Sequence, residues 1–247
     1  MEVKTHLVIP ARIGSTRFPG KPLVLIKGQP LLKWVIDRVQ KVSGVHQVLV
    51  ATDDLKIAEL CQKNSVLFVM TDSELPSGTD RVYQALLKQN QKPNPNDIVV
   101  NIQGDEPLIP QQWILQLIQS LKDHPEVEMA TLAHPMEWSE LDNMNAVKVV
   151  VNQEGRALYF SRYPIPHSRQ QNKNQSPISL KHIGLYAFRF HALEKFCKLS
   201  PSGLELSESL EQLRALEAGF QIQVIPVEGA IQGVDVPEDI QKVERFL

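Results

Sequence analysis

Short apolar runs alternate with amphipathic stretches through the first half of the chain, and no other feature restricts the possible architecture as much. Residues 6–10 (HLVIP), 47–51 (QVLVA), 66–70 (VLFVM) and 98–102 (IVVNI) read as buried strands. Between the first two, Leu31, Leu32, Val35, Ile36 and Val39 recur at helical spacing, which predicts a helix over 30–42 with Pro30 near its start. Further helices are expected around 54–64 and 79–89. Strands separated by helices require crossover connections, and crossovers build a mainly parallel sheet. The expected fold class is therefore α/β, with ligands binding where the strands reach their carboxyl ends.

The second half reads differently. Strands at 146–151 and 157–161 flank Asn152-Gln153-Glu154-Gly155, a hairpin pattern. Residues 168–179 are polar and read as a surface loop or connection. A strand over 182–188, helices around 191–199 and 205–218, the latter closed by Gly219, a strand over 220–227 and a terminal helix over 237–246 complete the series. The stretch 107–145 carries no element in this reading. No repeat, low-complexity tract or compositional break marks an independent second domain, so 1–247 is read as a single domain.

Bulk properties exclude several function classes. With 43% hydrophobic and 22% charged residues the chain can bury a sizeable core. A formal net charge of −2 lacks the positive footprint of a general nucleic-acid binder, so an anionic ligand needs a locally built positive site. No apolar stretch approaches the ~20 residues that span a bilayer, and the N-terminus lacks a signal-peptide pattern. The two lone cysteines, Cys61 and Cys197, fit small core positions in a reducing compartment. The expectation is a cytoplasmic protein without membrane insertion.

The segment Pro10-Ala11-Arg12-Ile13-Gly14-Ser15-Thr16-Arg17-Phe18-Pro19-Gly20-Lys21-Pro22 follows the first strand directly. Glycines and small hydroxyl residues let backbone N–H groups approach phosphate oxygens. Arg12, Arg17 and Lys21 are spaced along this loop, and the about four negative charges of a triphosphate need such fixed donors. A solvated basic loop is the plain alternative. The segment is neither a P-loop nor a G-x-G-x-x-G dinucleotide fingerprint. Ser77-Gly78-Thr79-Asp80-Arg81 precedes a helix, where its hydroxyls can serve as an N-cap. Gln103-Gly104-Asp105 sets a carboxylate at a strand's end, either as a ligand or as a turn acid. Asp235 precedes Pro237 in a position that also suits an N-cap, and Asp53 and Asp54 read as a cap of the second helix.

Residues 9–23, IPARIGSTRFPGKPL, resemble the signature of the Kdo (3-deoxy-D-manno-octulosonate) cytidylyltransferases, also called CMP-Kdo synthetases. The resemblance continues through SGTDR (77–81), NIQGDEP (101–107), YFSR (159–162) with Ile165-Pro166, KHIGLYAFR (181–189), LEQLR (210–214) and GVDVPED (233–239). Val236 stands where the family usually has Thr. The resemblance spans residue 7 to about 243 and is weakest over 168–179. It implies a nucleotidyltransferase fold of Rossmann-like type, with about 146–200 contributing a smaller sugar-binding and dimerisation lobe. It also implies transfer of CMP from CTP to Kdo, releasing pyrophosphate, by a magnesium-dependent homodimer that supplies lipopolysaccharide synthesis.

The same resemblance assigns roles by position. Arg12, Arg17 and Lys21 match phosphate-binding residues, and Ser77, Arg81 and Gln103 match nucleotide contacts. Asp105 matches a carboxylate that meets both nucleotide and Mg²⁺, and Asp235 is the second metal ligand, consistent with the ion's preference for one or two carboxylates plus phosphate and water oxygens. Arg162, His182, Tyr186, Glu211 and Gln212 match the sugar site, where an arginine can grip the Kdo carboxylate through paired hydrogen bonds. Rival readings are a cytidylyltransferase for 8-amino-Kdo or a sialic acid, a nucleotide-sugar glycosyltransferase domain, and a non-catalytic nucleotide sensor.

Overall fold

The computed structural model describes residues 2–14, 18–167, 169, 176–229 and 232–247. Arg17, and most of the polar loop after 167, lie outside them. The chain divides into two compact units, 1–115 with 231–247, and 116–230.

The first unit opens on β1 (Thr5–Ala11), whose residues are buried except for half-buried Pro10, as a strand covered on both faces requires. A short ribbon of β2 (Leu25–Ile26) against β3 (Gln29–Pro30) leads into α1 (Leu31–Val39). The five residues that recur at helical spacing are the ones α1 buries. There follow β4 (Gln47–Thr52), α2 (Leu55–Lys63), β5 (Leu67–Met70), α3 (Gly78–Leu87) and β6 (Ile98–Asn101). β1 lies between β4 and β6, β5 flanks β4, and every pairing is parallel. The expected parallel sheet is thus present, with its carboxyl ends along one side. Asp54 caps α2 as expected by accepting the Lys56 and Ile57 N–H groups. Asp53 does not share that cap. It pairs with Arg81 of α3 instead, because it stands one residue too early to reach the helix's open N–H groups.

Helix α4 (Gln111–Asp123) runs from the first unit into the second. The second unit continues with β7 (Met129–Pro135), β8 (Lys148–Val151), β9 (Ala157–Ser161) and β10 (Leu180–Arg189). Then come α5 (Phe190–Lys198), α6 (Gly203–Glu208), α7 (Gln212–Glu217) and β11 (Ile222–Pro226). β7 is flanked by β11, parallel, and β10, antiparallel, while β8 pairs antiparallel with β10 and β9. The expected hairpin is the β8–β9 pair, turned by Gly155 at φ 76. Buried Arg189 donates to the carbonyls of Leu121, His124 and Val127, satisfying groups that the end of α4 leaves open.

Three differences from the sequence reading matter. α4 and β7 occupy the stretch that carried no element. The single helix expected over 205–218 is two, because Ser209 adopts a left-handed conformation (φ 52) between α6 and α7. The tail helix α8 (Asp239–Glu244), in the first unit, begins two residues later than expected. There Asp239 folds back to accept the N–H groups of Asp235 and Val236. Ile240 and Val243 of α8 join Ile26, Leu31, Trp34 and Val234 in a cluster that holds the returning tail in the first unit.

Candidate active site

A cavity of about 290 Å³ opens in the first unit at the carboxyl ends of β1 and β6. Its floor is built on Pro10. A β-carbon at Gly104 would stand 3.0 Å from the Pro10 carbonyl oxygen, so only glycine lets the turn after β6 come this close to β1. Gly78, at the start of α3, also lies beside the Pro10 ring, where an added β-carbon would make an ordinary contact at 3.4 Å. Two segments far apart in sequence therefore meet at the end of β1.

Arg12 and Lys21 line one side of the cavity. Gly20, at φ 73, donates its N–H to the Ile13 carbonyl (3.1 Å) and closes the loop, so the short 3₁₀ turn Lys21–Leu23 carries the lysine back to the cavity. Its ammonium pairs with Asp105, lies 3.8 Å from Asp235 and donates to the Val234 carbonyl at 2.8 Å. The Val234 N–H in turn donates to the Asp105 carbonyl at 3.0 Å. Backbone pairing of the tail with the turn after β6 is what brings the two aspartates to one cation. Asp239 takes over the cap, which leaves the Asp235 side chain 74% exposed and directed at the cavity.

Glu106, beside Asp105, is a residue to which sequence reasoning gave no catalytic, nucleotide or metal role. Burial, reinforced by the negative charges of Asp105 and then Asp235, pushes its carboxyl up to about 8, against the opposing effect of Lys21. It therefore keeps its proton at neutral pH, and its buried Oε2 has no hydrogen-bond partner among the described residues. Its position immediately after Asp105, at the end of a buried strand, was the available signal.

Ser77, Arg81 and Gln103 complete the lining. Ser77 also caps α3, accepting the Asp80 N–H, so the bland reading of its hydroxyl is correct without displacing it from the cavity. Arg81 is 2% exposed and spends its guanidinium on the Thr71 hydroxyl and the Asp53 carboxylate (2.9 Å). No group of three or more His, Cys, Asp or Glu side chains suited to a metal occurs among the described residues. Asp105 and Asp235 are nevertheless two hard-oxygen carboxylates on one cavity with a lysine ammonium between them. That donor set suits Mg²⁺, which keeps phosphate and water oxygens as its remaining ligands.

The sugar candidates lie in the second unit. His182 and Tyr186 share a face of β10 across an irregularity in its pairing with β7, with ring centroids 5.5 Å apart. The Thr131 hydroxyl fills that irregularity, donating to the Ile183 and Leu185 carbonyls (3.1 and 2.9 Å). The same hydroxyl lies 3.0 Å from His182 Nε2, which ties the imidazole to β7. Gln212 is 3% exposed, and its Nε2 has no partner among the described residues. Arg162 donates to the carbonyls of Glu208 (2.8 Å), Met144 (3.1 Å) and Ser209 (3.3 Å), so its fork already braces the α6–α7 corner, just before Glu211.

Although part of His182 reaches the surface, its ring packs edge-on to Phe160 (4.9 Å), and desolvation lowers its pKa to about 3. The folded value lies below the unfolded one of about 6.5, so the stability it contributes is full above 6.5 and is lost as pH falls towards 3. Between pH 7 and 5 the loss should be on the order of 1–2 kcal/mol. Urea midpoints at both pH values for the parent chain and His182→Asn provide the check. An unchanged pH dependence in the variant counts against the assignment.

Comparison with known proteins gives the family of the chain. A family model described as "Cytidylyltransferase" matches residues 6–224. A 3-deoxy-manno-octulosonate cytidylyltransferase from Bdellovibrio bacteriovorus is 50% identical over 97% of this chain and 96% of its own length. One from Anaeromyxobacter sp. (strain Fw109-5) is 45% identical, covering 99% and 97%. The solved structure of a CMP:2-keto-3-deoxy-manno-octonic acid synthetase complexed with CTP superposes with a TM-score of 0.91 at 41% identity, covering 98% of both chains. A cytidylyltransferase from Leptospira borgpetersenii, 19% identical with a TM-score of 0.65 over 98% of this chain and 86% of its own, shares the fold.

Proposed function

We propose that this chain, which belongs to the cytidylyltransferase family, transfers CMP from CTP to 3-deoxy-manno-octulosonate (Kdo), forming CMP-Kdo and pyrophosphate. The carrying observation is the convergence of Lys21, Asp105 and Asp235 on the cavity at the carboxyl ends of β1 and β6. Arg12, Arg17 and Lys21 hold the triphosphate, and Ser77, Arg81 and Gln103 hold the nucleoside side of the site. The anomeric hydroxyl of the sugar attacks the α-phosphorus in line, and pyrophosphate leaves. Little covalent chemistry falls to the protein, so its contribution is positioning and charge stabilisation. Mg²⁺, held by Asp105 and Asp235, supplies charge neutralisation of the phosphates and acidification of the attacking hydroxyl when bound.

His182, Tyr186, Glu211 and Gln212 hold the acid sugar. The unsatisfied buried amide of Gln212 supports this, because such a group is costly unless a ligand completes it. A homodimer fits the exposed apolar side chains of Leu158, Tyr163 and Leu206 in the second unit. A cytoplasmic enzyme serving lipopolysaccharide synthesis fits the buried Cys61 kept as a thiol and the product. No helix among the described residues is long and apolar enough to cross a membrane.

Pyrophosphate release from CTP and Mg²⁺, measured with a panel of acid sugars, tests the proposal. Kdo should exceed 8-amino-Kdo and sialic acid by at least about tenfold in kcat/KM, the discrimination that one lost polar contact allows. Release driven equally well by a sialic acid would reassign the substrate. Consumption of a nucleotide sugar without pyrophosphate would replace the reaction class with glycosyl transfer.

A further inference from the structure

We infer that Glu208 is a positioning residue for the acid-sugar residues of the second unit, acting with Ser161 and Arg162 as a clasp on the α6–α7 corner. The inference rests on the functional reading above and adds a residue that it does not use. The Glu208 carboxylate accepts from the Ser161 hydroxyl at 2.7 Å and from the Arg162 N–H at 2.9 Å. In return the Arg162 guanidinium donates to the backbone carbonyls of Glu208 at 2.8 Å and Ser209 at 3.3 Å. The end of β9 and the end of α6 thus hold each other through both side chains and both backbones.

The clasp has a purpose because the corner it grips is unfavourable by itself. Ser209 sits at φ 52, a left-handed conformation that a residue with a β-carbon adopts only when its surroundings enforce it. From that corner the chain enters α7, with Glu211 as its N-cap and Gln212 as its first residue. The direction in which both side chains leave the backbone is therefore set by Ser209. Lys148, fully buried on β8, anchors the other side by donating to the Arg162 carbonyl at 2.7 Å and the Asn143 carbonyl at 2.8 Å. Arg162 is held from both directions, and through the corner it braces it acts on the placement of Glu211 and Gln212.

The chemistry of the clasp distinguishes two substitutions. Glu208→Ala removes both acceptors. Glu208→Gln keeps a carbonyl for the Arg162 N–H and turns its amide towards the Ser161 oxygen, which has a second lone pair. Glu208→Ala should raise KM for Kdo about tenfold with KM for CTP unchanged, and Glu208→Gln should recover it to within about threefold of the parent. Amide hydrogen exchange over 208–213 should quicken in the alanine variant and stay near the parent rate in the glutamine variant. An unchanged Kdo KM in Glu208→Ala, equal loss in both variants, or parallel rises in both KM values overturns the proposal. If the parent chain fails to release pyrophosphate with any acid sugar, the functional reading falls, and the exchange experiment still decides whether the clasp exists.

Discussion

Asp105→Asn should lower kcat for pyrophosphate release on the order of 10³-fold, the largest effect of any single change in the cavity. The amide has the shape of the carboxylate but neither its charge nor its affinity for a hard cation. The charge that now answers Lys21 would fall to Asp235, 3.8 Å away and largely solvated, which cannot replace a direct ion pair. The fold should survive, because the backbone link from Val234 N–H to the Asp105 carbonyl does not involve the side chain. Steady-state rates over a Mg²⁺ titration, with a thermal melt as control, provide the measurement. A folded variant turning over within tenfold of the parent would remove Asp105 from the metal set.

Arg81→Met should cost about 3–5 kcal/mol of stability. The guanidinium is buried between α3 and the loops after β4 and β5, where it satisfies Thr71 and Asp53. Without it the Asp53 carboxylate, 15% exposed and with Oδ1 already unpartnered among the described residues, would face the interior uncompensated. Replacing both members, as Asp53→Asn with Arg81→Met, should recover most of the loss, since a neutral pair of similar volume carries no desolvated charge. Denaturant midpoints of the three variants settle the matter. A loss below about 1 kcal/mol in the single variant would mean that water reaches Asp53 and that the pair carries little of the fold's stability.

Much of this was readable before any coordinates. The spacing of Leu31, Leu32, Val35, Ile36 and Val39 predicts the buried face of α1, because a helix that borders a sheet must present one continuous apolar stripe. The apolar runs of β1, β4 and β6 are legible for the same reason. β7 is not. Its MATLAHP segment mixes Ala, Thr, His and Pro, and it is a strand because β10 and β11 flank it, a fact about partners and not about local preference. The break at Ser209 is equally hidden: residues 205–218 have a good helical pattern, and the clasp from Arg162 and Glu208 overrides it.

At the site the division is similar. The cations Arg12 and Lys21 and the acid Asp105 are identifiable because residue type and place after a buried strand already restrict their chemistry. Which aspartate caps the tail and which is left for the cavity depends on Asp239 folding back to the N–H groups of Asp235 and Val236. The proton on Glu106 depends on burial beside two other acids, and the bracing of the α6–α7 corner by Arg162 on the distances to three carbonyls.

By itself the amino-acid order determined the parallel sheet of the first unit, the basic loop that follows its first strand and the residue types offered at its end, because periodicity and chain direction act locally. Tertiary structure alone decided which of those groups meet, which are spent on one another and which keep a proton. Those outcomes depend on distance and on exclusion of water, and neither is written along a chain.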